Sequence, residues 1–363
     1  MKPLELYIHI PFCVQKCKYC DFMSAPSCSK ERHDYVKSLC EKIRSYGEFA
    51  RTYCVVSIFV GGGTPSILEG AQMQEIFAAV RETFVLTEDA EITIEMNPGT
   101  VTREKLCVYR QIGINRLSIG LQSVNDRELK ELGRIHTYQD FLDTYQLARE
   151  EGFTNINIDL ISAIPHQTAE SWRETLKKVC DLEPEHISAY SLIIEEGTPF
   201  YERYGDGEHA EELPDEEEER QMYHDTKSIL AAYGYERYEI SNYAKKGYAC
   251  QHNLGYWSRT EYLGIGLGAA SLVDNCRWTE GEEKEILTKE EQMEEFMFLG
   301  LRKIQGVSEA EFLDQFGVSM ESIYENVLKE MVQKALIERE NGWVRLTEKG
   351  IDVSNYVMSE FLL

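Results

Sequence analysis

Over its first 200 residues the chain alternates between short apolar runs and longer amphipathic stretches, and this alternation restricts the fold more than any other feature. The amphipathic stretches include residues 30–49, 140–152 and 169–182. Strand-sized runs separated by helix-sized segments are typical of a parallel sheet joined by right-handed crossovers. We therefore expect an α/β fold, either an open doubly wound sheet or a full or partial barrel. The apolar runs are 6–10, 55–60, 91–96, 116–120, 155–161 and 186–194.

The pattern changes after Pro199, where an acidic, loop-like segment (205–220) leads into a helical stretch. We read the acidic run as a solvated segment and helix N-terminus, with no chemistry of its own. A section rich in tyrosine follows (233–262), and the end of the chain reads as helices followed by a short hairpin. The chain is therefore expected to have three sections: an α/β domain (1–205), a linking helix with an α+β section (206–285), and a small helical or winged-helix-like module (286–363).

Composition narrows the class of protein. The hydrophobic fraction of 43% and the charged fraction of 28% are ordinary for a globular protein, but the formal charge is −25. Nucleic-acid binders usually carry a basic stripe, so a nucleic-acid partner is not expected. No apolar run is long enough to cross a bilayer, and the first residues do not have the layout of a secretory signal. We expect a cytoplasmic protein whose ten cysteines are free thiols or metal ligands.

Three of those cysteines, Cys13, Cys17 and Cys20, form a C-x3-C-x2-C loop directly after the first apolar run. Three thiolates on one loop can converge on a soft metal centre. One candidate is zinc, with His9, Cys28 or Cys250 as the fourth ligand, although no second C-x2-C pair exists. A [4Fe-4S] cluster with one open iron fits three cysteines better, and an open iron is a reaction site.

Polar or flexible residues also follow the other predicted strands. In a parallel sheet or barrel the loops after the C-terminal strand ends meet on one side, where ligands bind. The glycines of "GGGTPS" (61–66) allow backbone amides to approach a ligand closely, but no Lys-Ser/Thr pair completes a Walker loop. A purely structural sheet has no need of this arrangement. The side chains in question are Glu95, Gln122, Arg134 and Asp159.

The cysteine loop with Tyr19 before its third cysteine, and "GGGTP", "EMNP", "GLQS" and "NIDLI" in this order, resemble the radical S-adenosylmethionine (SAM) superfamily. In particular they resemble the branch that contains oxygen-independent coproporphyrinogen III dehydrogenase and the HemW-type heme chaperones. The resemblance covers nearly the whole chain. It implies a partial (β/α)6 barrel, a [4Fe-4S] cluster on Cys13, Cys17 and Cys20, and SAM on the open iron. The SAM-binding residues that it implies are Tyr7, Tyr19, Gly62, Gly63, Thr64, Glu95, Gln122, Arg134 and Asp159.

Three features indicate the chaperone side of this branch. The resemblance implies a fourth cysteine in the dehydrogenase two residues past the third, where this chain has Phe22, and an N-terminal extension, whereas here twelve residues precede Cys13. The stretch "HNLGYW" (252–257) resembles the HNxxYW signature of the chaperones. Because imidazole is a common axial ligand of heme iron, His252 is the candidate heme ligand, and Cys250 competes with it. One departure is "SAIPHQT" (162–168), where the family continues with an aromatic residue and "GLP".

The leading hypothesis is thus a heme-binding chaperone on a radical SAM scaffold that passes heme to a client hemoprotein, which we expect to be respiratory. Its cofactors would be a [4Fe-4S] cluster and SAM, with heme as cargo, and any membrane contact would come through the client. A homodimer is left open. The rival hypothesis is a radical SAM enzyme that oxidatively decarboxylates coproporphyrinogen III to protoporphyrinogen IX. A zinc-stabilised interaction module without redox chemistry is the third.

Overall fold

The computed structural model describes residues 1–363. The longest helices have 17 residues, and none is both long and apolar enough to span a lipid bilayer. The strands are β1 (Lys2–Ile10), β2 (Phe12–Cys13), β3 (Ala25–Pro26), β4 (Tyr53–Gly62), β5 (Val85–Met96), β6 (Arg116–Gln122), β7 (Ile156–Ser162), β8 (His186–Ser191), β9 (Glu236–Arg237), β10 (Asn242–Ala244), β11 (Tyr262–Ile265), β12 (Ala270–Val273), β13 (Cys276–Thr279), β14 (Glu285–Ile286), β15 (Val307–Ser308), β16 (Ile337–Glu340) and β17 (Trp343–Leu346). The helices are α1 (Ser29–Ser45), α2 (Gly47–Ala50), α3 (Gly70–Thr83), α4 (Arg103–Gln111), α5 (Asp126–Glu131), α6 (Tyr138–Glu150), α7 (Ala169–Cys180), α8 (Pro199–Tyr204), α9 (Glu216–Ala232), α10 (Gln251–Trp257), α11 (Lys289–Gly300), α12 (Glu309–Phe316), α13 (Met320–Gln333), α14 (Glu348–Asp352) and α15 (Ser354–Ser359).

Six parallel strands form the centre of the fold, in the order β1-β4-β5-β6-β7-β8, with helices in the connections. The strand order follows the chain order, as it does in a (β/α) barrel. The sheet does not close on itself, because β14 and β9 are its two edges. This architecture confirms the predicted α/β class and its form as a partial (β/α)6 barrel.

The two faces of the central sheet differ in chemistry. Side chains alternate between the faces of a strand, and on one face Ile, Leu, Val and Met pack against the helices in a core of 52 buried residues. The opposite face, which these helices do not cover, carries polar side chains from every central strand. This second face holds Glu5, Tyr7 and His9 of β1, Ser57 of β4, Glu91 and Glu95 of β5, Arg116 and Ser118 of β6, Asn157 and Asp159 of β7, and His186 and Ser188 of β8.

The section after residue 205 extends the same sheet at both edges. Strand β10 pairs antiparallel with β8, and β9 pairs with β10. At the other edge β11 pairs parallel with β1, and β12, β13 and β14 continue antiparallel from it. The predicted section 206–285 therefore adds strands to both edges of the barrel sheet. In the chain, helix α10 connects β10 on one side of the sheet to β11 on the other.

The C-terminal part of the chain has its own core. Eighteen buried residues between Met293 and Phe361 pack together beneath the three-stranded antiparallel sheet β15-β17-β16. Helix α9 and its following loop bring Tyr223 and Ile240 against this core, so the module rests on the barrel section. Arg259 of the loop after α10 donates to Glu295 of α11 at 3.0 Å, with both side chains buried.

Candidate functional site

The three clustered cysteines lie on the loop between β1 and α1, at the C-terminal end of β1. All three thiols are half-buried, and burial raises the pKa of Cys17 and Cys20, a rise that Arg134 opposes at Cys17. Their sulfur atoms do not all lie within 4.8 Å of one another. Around a single tetrahedral zinc ion with Zn–S bonds near 2.3 Å, sulfurs lie roughly 3.8 Å apart. At least one pair of these sulfurs is thus farther apart than a single zinc ion requires.

The residues considered as a fourth zinc ligand are not placed for that role. The Cys250 thiol is fully buried and lies 3.3 Å from Oε1 of Glu91, on the polar face of the sheet rather than on the cysteine loop. Both ring nitrogens of His9 make hydrogen bonds within the protein. Cys28 is exposed at the start of α1. The geometry gives the zinc alternative no support.

Hydrogen bonds connect the cysteine loop to the ends of β5 and β6. The Arg134 guanidinium donates to the Tyr19 hydroxyl at 2.8 Å and to Oδ1 of Asn97 at 2.9 Å. The amide of Asn97 in turn donates to Thr64 Oγ1 at 2.9 Å, and Thr64 Oγ1 lies 3.5 Å from the Cys13 sulfur. Tyr19, Thr64 and Arg134, predicted from three separate segments, therefore belong to one connected group beside the cysteines.

The "GGGTP" turn lies against the cysteine loop through its backbone. Gly63 N–H donates to Ile10 O at 2.9 Å, and a Cβ on Gly63 would lie 2.6 Å from Phe12 O. Gly62 has φ +109° and donates its N–H to Oε2 of Glu95 at 3.1 Å. These positions need glycine because a side chain would enter the cysteine loop or require a disfavoured backbone angle. The glycines thus let the turn pack directly against the cysteine loop and the Glu95 carboxylate.

Glu95 and Asp159 face the same interior region from β5 and β7. Burial raises the pKa of Glu95 to about 8, and the charge of Asp159 adds to the rise. Asp159 accepts hydrogen bonds from Ser118 at 3.1 Å and from Asn157 at 2.8 Å. These contacts orient a carboxylate that can accept hydrogen bonds from an ammonium or from ribose hydroxyls.

Gln122 ends β6 with φ +74°, at an irregularity in the β6–β7 pairing. A buried non-glycine residue in this conformation is uncommon and is often found at functional sites. Tyr7 lies deeper, and its hydroxyl is 3.0 Å from Nδ1 of His9. Apart from Tyr7, which lines a different cavity described below, the residues that the sequence assigned to SAM lie at or beyond the C-terminal ends of the central strands.

The donor set fits the cofactors that the resemblance implies. Cys13, Cys17 and Cys20 supply three thiolates. Carboxylates, amides and a guanidinium surround the glycine turn, and the buried Nε of Arg134 has no partner within the protein. An amino acid with a ribose attached has ammonium, carboxylate and hydroxyl groups that these side chains can satisfy. Binding of SAM and of a cluster by these residues stays a prediction.

The "SAIPHQT" departure has a visible backbone consequence. Ala163 and His166 adopt φ values of +59° and +63°, in the left-handed region that favours glycine. The loop keeps its place through Gln167, which is buried and donates to Glu128 at 2.8 Å. Ala163 therefore adopts a conformation that glycine adopts more easily.

A second cavity, of about 430 Å³, lies beside the cysteine loop on the edge-strand side of the barrel. Its wall is largely aromatic and apolar. Phe22 and Met23 of the cysteine loop form one side, with exposed fractions of 58% and 54%, and Tyr256 and Trp257 of helix α10 form another. Arg277 of β13 is its cationic side chain. The cavity has the size and lining of a small-molecule site.

The candidate heme ligands His252 and Cys250 do not line this cavity. His252 is 1% exposed, its Nδ1 lies 2.8 Å from the Ser57 hydroxyl, and its ring stacks on Phe59. Burial lowers its pKa to about 3, so the ring is neutral. Its Nε2 has no hydrogen-bond partner, which leaves one nitrogen available for coordination only if α10 moves. Their role as ligands stays a prediction.

Several residues of the two sites and of the polar face of the sheet were not identified from sequence. Five of them share a pattern that was readable, namely polar side chains at every second position of otherwise apolar strands, or polar residues just beyond a strand end. Met23 and Arg277 carry no such pattern and needed the structure. The residues are Glu5, Ser57, Glu91, Asn97, Arg116, Met23 and Arg277.

The chain is similar to known proteins along its whole length. The radical SAM superfamily profile matches residues 7–179, and the HemN C-terminal domain profile matches residues 287–353. The heme chaperone HemW of Lactococcus lactis subsp. lactis is 36% identical, covering 100% of this chain and 98% of that protein. Heme chaperone HemW of Bacillus subtilis is also 36% identical, with 98% of each chain covered. HemW of Escherichia coli is 36% identical as well, covering 100% and 99%.

A solved structure shares the fold. Coproporphyrinogen III oxidase (HemN) from Escherichia coli, described as a radical SAM enzyme, superposes with a TM-score of 0.87. The superposition covers 99% of this chain and 90% of that one at 24% sequence identity. At this identity the match is evidence for the fold alone. The resemblance drawn from the motifs is confirmed by these findings.

Proposed function

The chain belongs to the HemW family of heme chaperones within the radical SAM superfamily, and on this premise we propose that it binds heme and transfers it to a client hemoprotein. The observation that carries the proposal is the aromatic cavity between the cysteine loop and the "HNLGYW" helix α10. The porphyrin of heme is a flat, largely apolar macrocycle, and its faces pack well against aromatic and apolar side chains. The cavity unites the two sequence features that distinguish this branch, Phe22 and "HNLGYW".

The cavity also suits the anionic edge of heme. Arg277 and Arg259 both pair with Glu295, at 2.5 and 3.0 Å. Two guanidinium groups against one carboxylate leave one net positive charge at the cavity wall. A heme propionate can accept hydrogen bonds from the Arg277 guanidinium, which matters in a chain of formal charge −25.

The cluster and SAM would be held as the sequence indicates. Cys13, Cys17 and Cys20 would carry a [4Fe-4S] cluster, and the Arg134, Glu95 and Asp159 group would bind SAM beside it. A bound cluster with an open iron supplies one-electron chemistry. Phe22, which belongs to the same loop, lines the aromatic cavity. The loop that would carry the cluster therefore also forms part of the proposed heme site.

The client is proposed to be a hemoprotein of respiration. The strong negative charge of the chain favours a docking partner with a basic surface, because complementary charges speed encounter and exclude wrong partners. We place this transfer in the cytoplasm, with membrane contact only through the client.

The test is an anaerobic heme titration of cluster-loaded protein, followed by absorption spectroscopy. The wild type should bind heme at one site, and Trp257→Ala should weaken binding on the order of tenfold or more, which corresponds to losing about 1.4 kcal/mol of contact. Trp343→Ala, in the C-terminal hairpin, is the matched control and should bind as the wild type does. Absence of heme binding would refute the proposal. Conversion of coproporphyrinogen III to protoporphyrinogen IX with SAM and a reductant would instead favour the decarboxylating enzyme.

A further inference from the structure

We infer that the Met23 thioether ligates the iron of heme bound in the Phe22–Trp257 cavity. The inference rests on the proposed function, because it presupposes that heme enters this cavity. It assigns the iron ligand to the cluster loop, three residues past Cys20, rather than to helix α10. Met23 is an established type of axial ligand, since a methionine sulfur binds heme iron in cytochromes c.

The other donors that line the cavity are engaged or disfavoured. His9 uses both ring nitrogens: Nδ1 lies 3.0 Å from the Tyr7 hydroxyl, and Nε2 lies 3.0 Å from the Met23 carbonyl. The phenols of Tyr256 and Tyr262 would have to ionise to bind ferric iron. Burial raises the pKa of both, and the two phenols lie close enough to oppose each other's ionisation at Tyr256. A thioether needs no proton loss.

Met23 itself is held with its sulfur available. Its backbone carbonyl is fixed by the 3.0 Å contact to His9. Its side chain crosses Gly268, where a Cβ would lie 3.0 Å from the Met23 sulfur, so the glycine provides the space that the side chain occupies. The side chain is 54% exposed and lines the cavity. A large apolar side chain left this exposed beside an aromatic cavity is suited to covering a ligand face.

His252 is not placed for this role without a movement of α10. Its ring lies behind Tyr256, in edge-to-face contact at 4.8 Å between ring centroids, and only 1% of the residue is exposed. Coordination by His252 would require α10 to leave Glu91, which accepts the backbone N–H groups of Gln251 and His252. Met23 needs no such movement.

A ligand on the cluster loop would connect two sites of the protein. His9, which fixes the Met23 carbonyl, also faces the glycine turn, since a Cβ on Gly62 would lie 2.5 Å from its ring. Ordering of the loop by three cysteine–iron bonds would therefore set the position of the Met23 sulfur. Heme ligation is then expected to depend on whether the loop carries its cluster.

The experiment is a comparison of heme-bound, cluster-loaded wild type with Met23→Leu and Met23→His. Magnetic circular dichroism and resonance Raman spectra report the axial ligand independently of any activity. The wild type should show the sulfur-to-iron charge-transfer band of a thioether ligand, Met23→Leu should lose it, and Met23→His should acquire a histidine-ligated spectrum. Leu267→Ala removes a neighbouring exposed apolar side chain without touching the sulfur, and it should keep the band.

The outcomes separate this inference from the proposed function. If the wild type binds heme but Met23→Leu keeps the wild-type ligand spectrum, the inference is wrong and the chaperone proposal stands. Loss of the same spectrum in His252→Ala, with Met23→Leu unchanged, would assign the ligand to helix α10. If the wild type binds no heme at all, the proposed function fails first and this inference fails with it.

Discussion

The hydroxyl of Ser57 lies 2.8 Å from Nδ1 of His252, although 195 residues separate them in the chain. The same hydroxyl donates to Oε1 of Glu5 at 3.1 Å, and all three side chains are buried. The contact places the histidine of "HNLGYW" inside the barrel, where it fixes helix α10 to β1 and β4. The signature thus has a structural task beside any part in heme binding.

This buried group should make stability depend on pH. Burial raises the pKa of Glu5 from 4.5 to about 9, so the folded protein holds a proton that the unfolded chain releases above 4.5. The stabilisation is complete below 4.5 and is lost as the pH rises towards 9. We predict that Glu5→Gln removes this loss, which amounts to up to about 1.4 kcal/mol per pH unit. Denaturant unfolding between pH 6 and 9 measures it.

The neighbouring histidine provides a control with the opposite sign. Burial lowers the pKa of His252 to about 3, so its contribution is present above 6.5 and is lost as the pH falls towards 3. His252→Gln should reduce the fall in the free energy of unfolding below pH 6.5. It should leave the dependence of this free energy on pH above 6.5 unchanged. Equal slopes in the wild type and Glu5→Gln between pH 6 and 9 would contradict the assignment to Glu5.

The cysteine loop predicts a selective effect on iron content. Cys17→Ala removes one of three thiolates beside Arg134, and we expect anaerobically prepared protein to lose its iron and acid-labile sulfide together. Cys28→Ala, at an exposed thiol eight residues past Cys20, is the matched control and should retain both. Metal analysis decides the outcome. Zinc in place of iron, retained in both variants, would point back to an interaction module.

Removing one charge from the upper barrel should weaken SAM binding. Asp159→Asn keeps the shape of a side chain already held by Ser118 and Asn157 but removes its negative charge. We expect affinity for SAM to fall on the order of tenfold or more, because charged hydrogen bonds are about twice as strong as neutral ones. Equilibrium binding to cluster-loaded protein is the measurement. Asp181→Asn, at the exposed end of α7, is the control and should leave the affinity for SAM unchanged. If Asp159→Asn also binds SAM as the wild type does, Asp159 does not contribute to the SAM site.

Most of the fold was predictable because its pattern is local. Each central strand of the structure overlaps an apolar run, as 91–96 does with β5, and α7 begins at the predicted residue 169. The edges of the sheet were not predictable. Strands β9 to β14 have two to four residues each, and no periodicity survives over so few positions. The two pairings that join them to the central sheet, β10 with β8 and β11 with β1, are between segments far apart in the chain. The section 206–285 was therefore predicted as a linking helix and a separate α+β section rather than as an extension of the barrel sheet.

The candidate site was predictable where chemistry is concentrated in motifs. Cys13, Thr64 and Arg134 come from three segments, and the structure joins them through Asn97, which was quoted only as part of a motif. The aromatic cavity was harder to predict, because its lining comes from the cysteine loop, α10 and the edge strands. The burial of His252 could not be read from sequence either, since a histidine among aromatic residues suits a ligand and a core residue equally well.

The loop after β7 offers a stability test of the "SAIPHQT" departure. Ala163 has φ +59°, a conformation that costs an L-residue about 1–2 kcal/mol, and glycine avoids the cost at some loss of chain entropy. We predict that Ala163→Gly raises the free energy of unfolding by about 0.5–1 kcal/mol. Ala232→Gly, at the end of helix α9, should lower it instead. A destabilised Ala163→Gly would show that the loop gains more from the methyl group than it loses to strain.

Gly255 of helix α10 packs tightly against the side chain of Glu5 on β1. A Cβ on Gly255 would lie 2.0 Å from Oε1 of Glu5, whose side chain is buried and bonded to Ser57. Gly255→Ala should therefore displace α10, cost about 1–3 kcal/mol of stability, and weaken heme binding by moving Trp257. Gly47→Ala, at a helical position where nothing lies within 4 Å, is the control and should leave stability unchanged or slightly raised. Because the clash is with one carboxylate, adding Glu5→Ala should recover part of the loss, and the double-mutant cycle measures that coupling. Purely additive effects would mean that Gly255 is required by the helix backbone and that Glu5 does not set the position of α10.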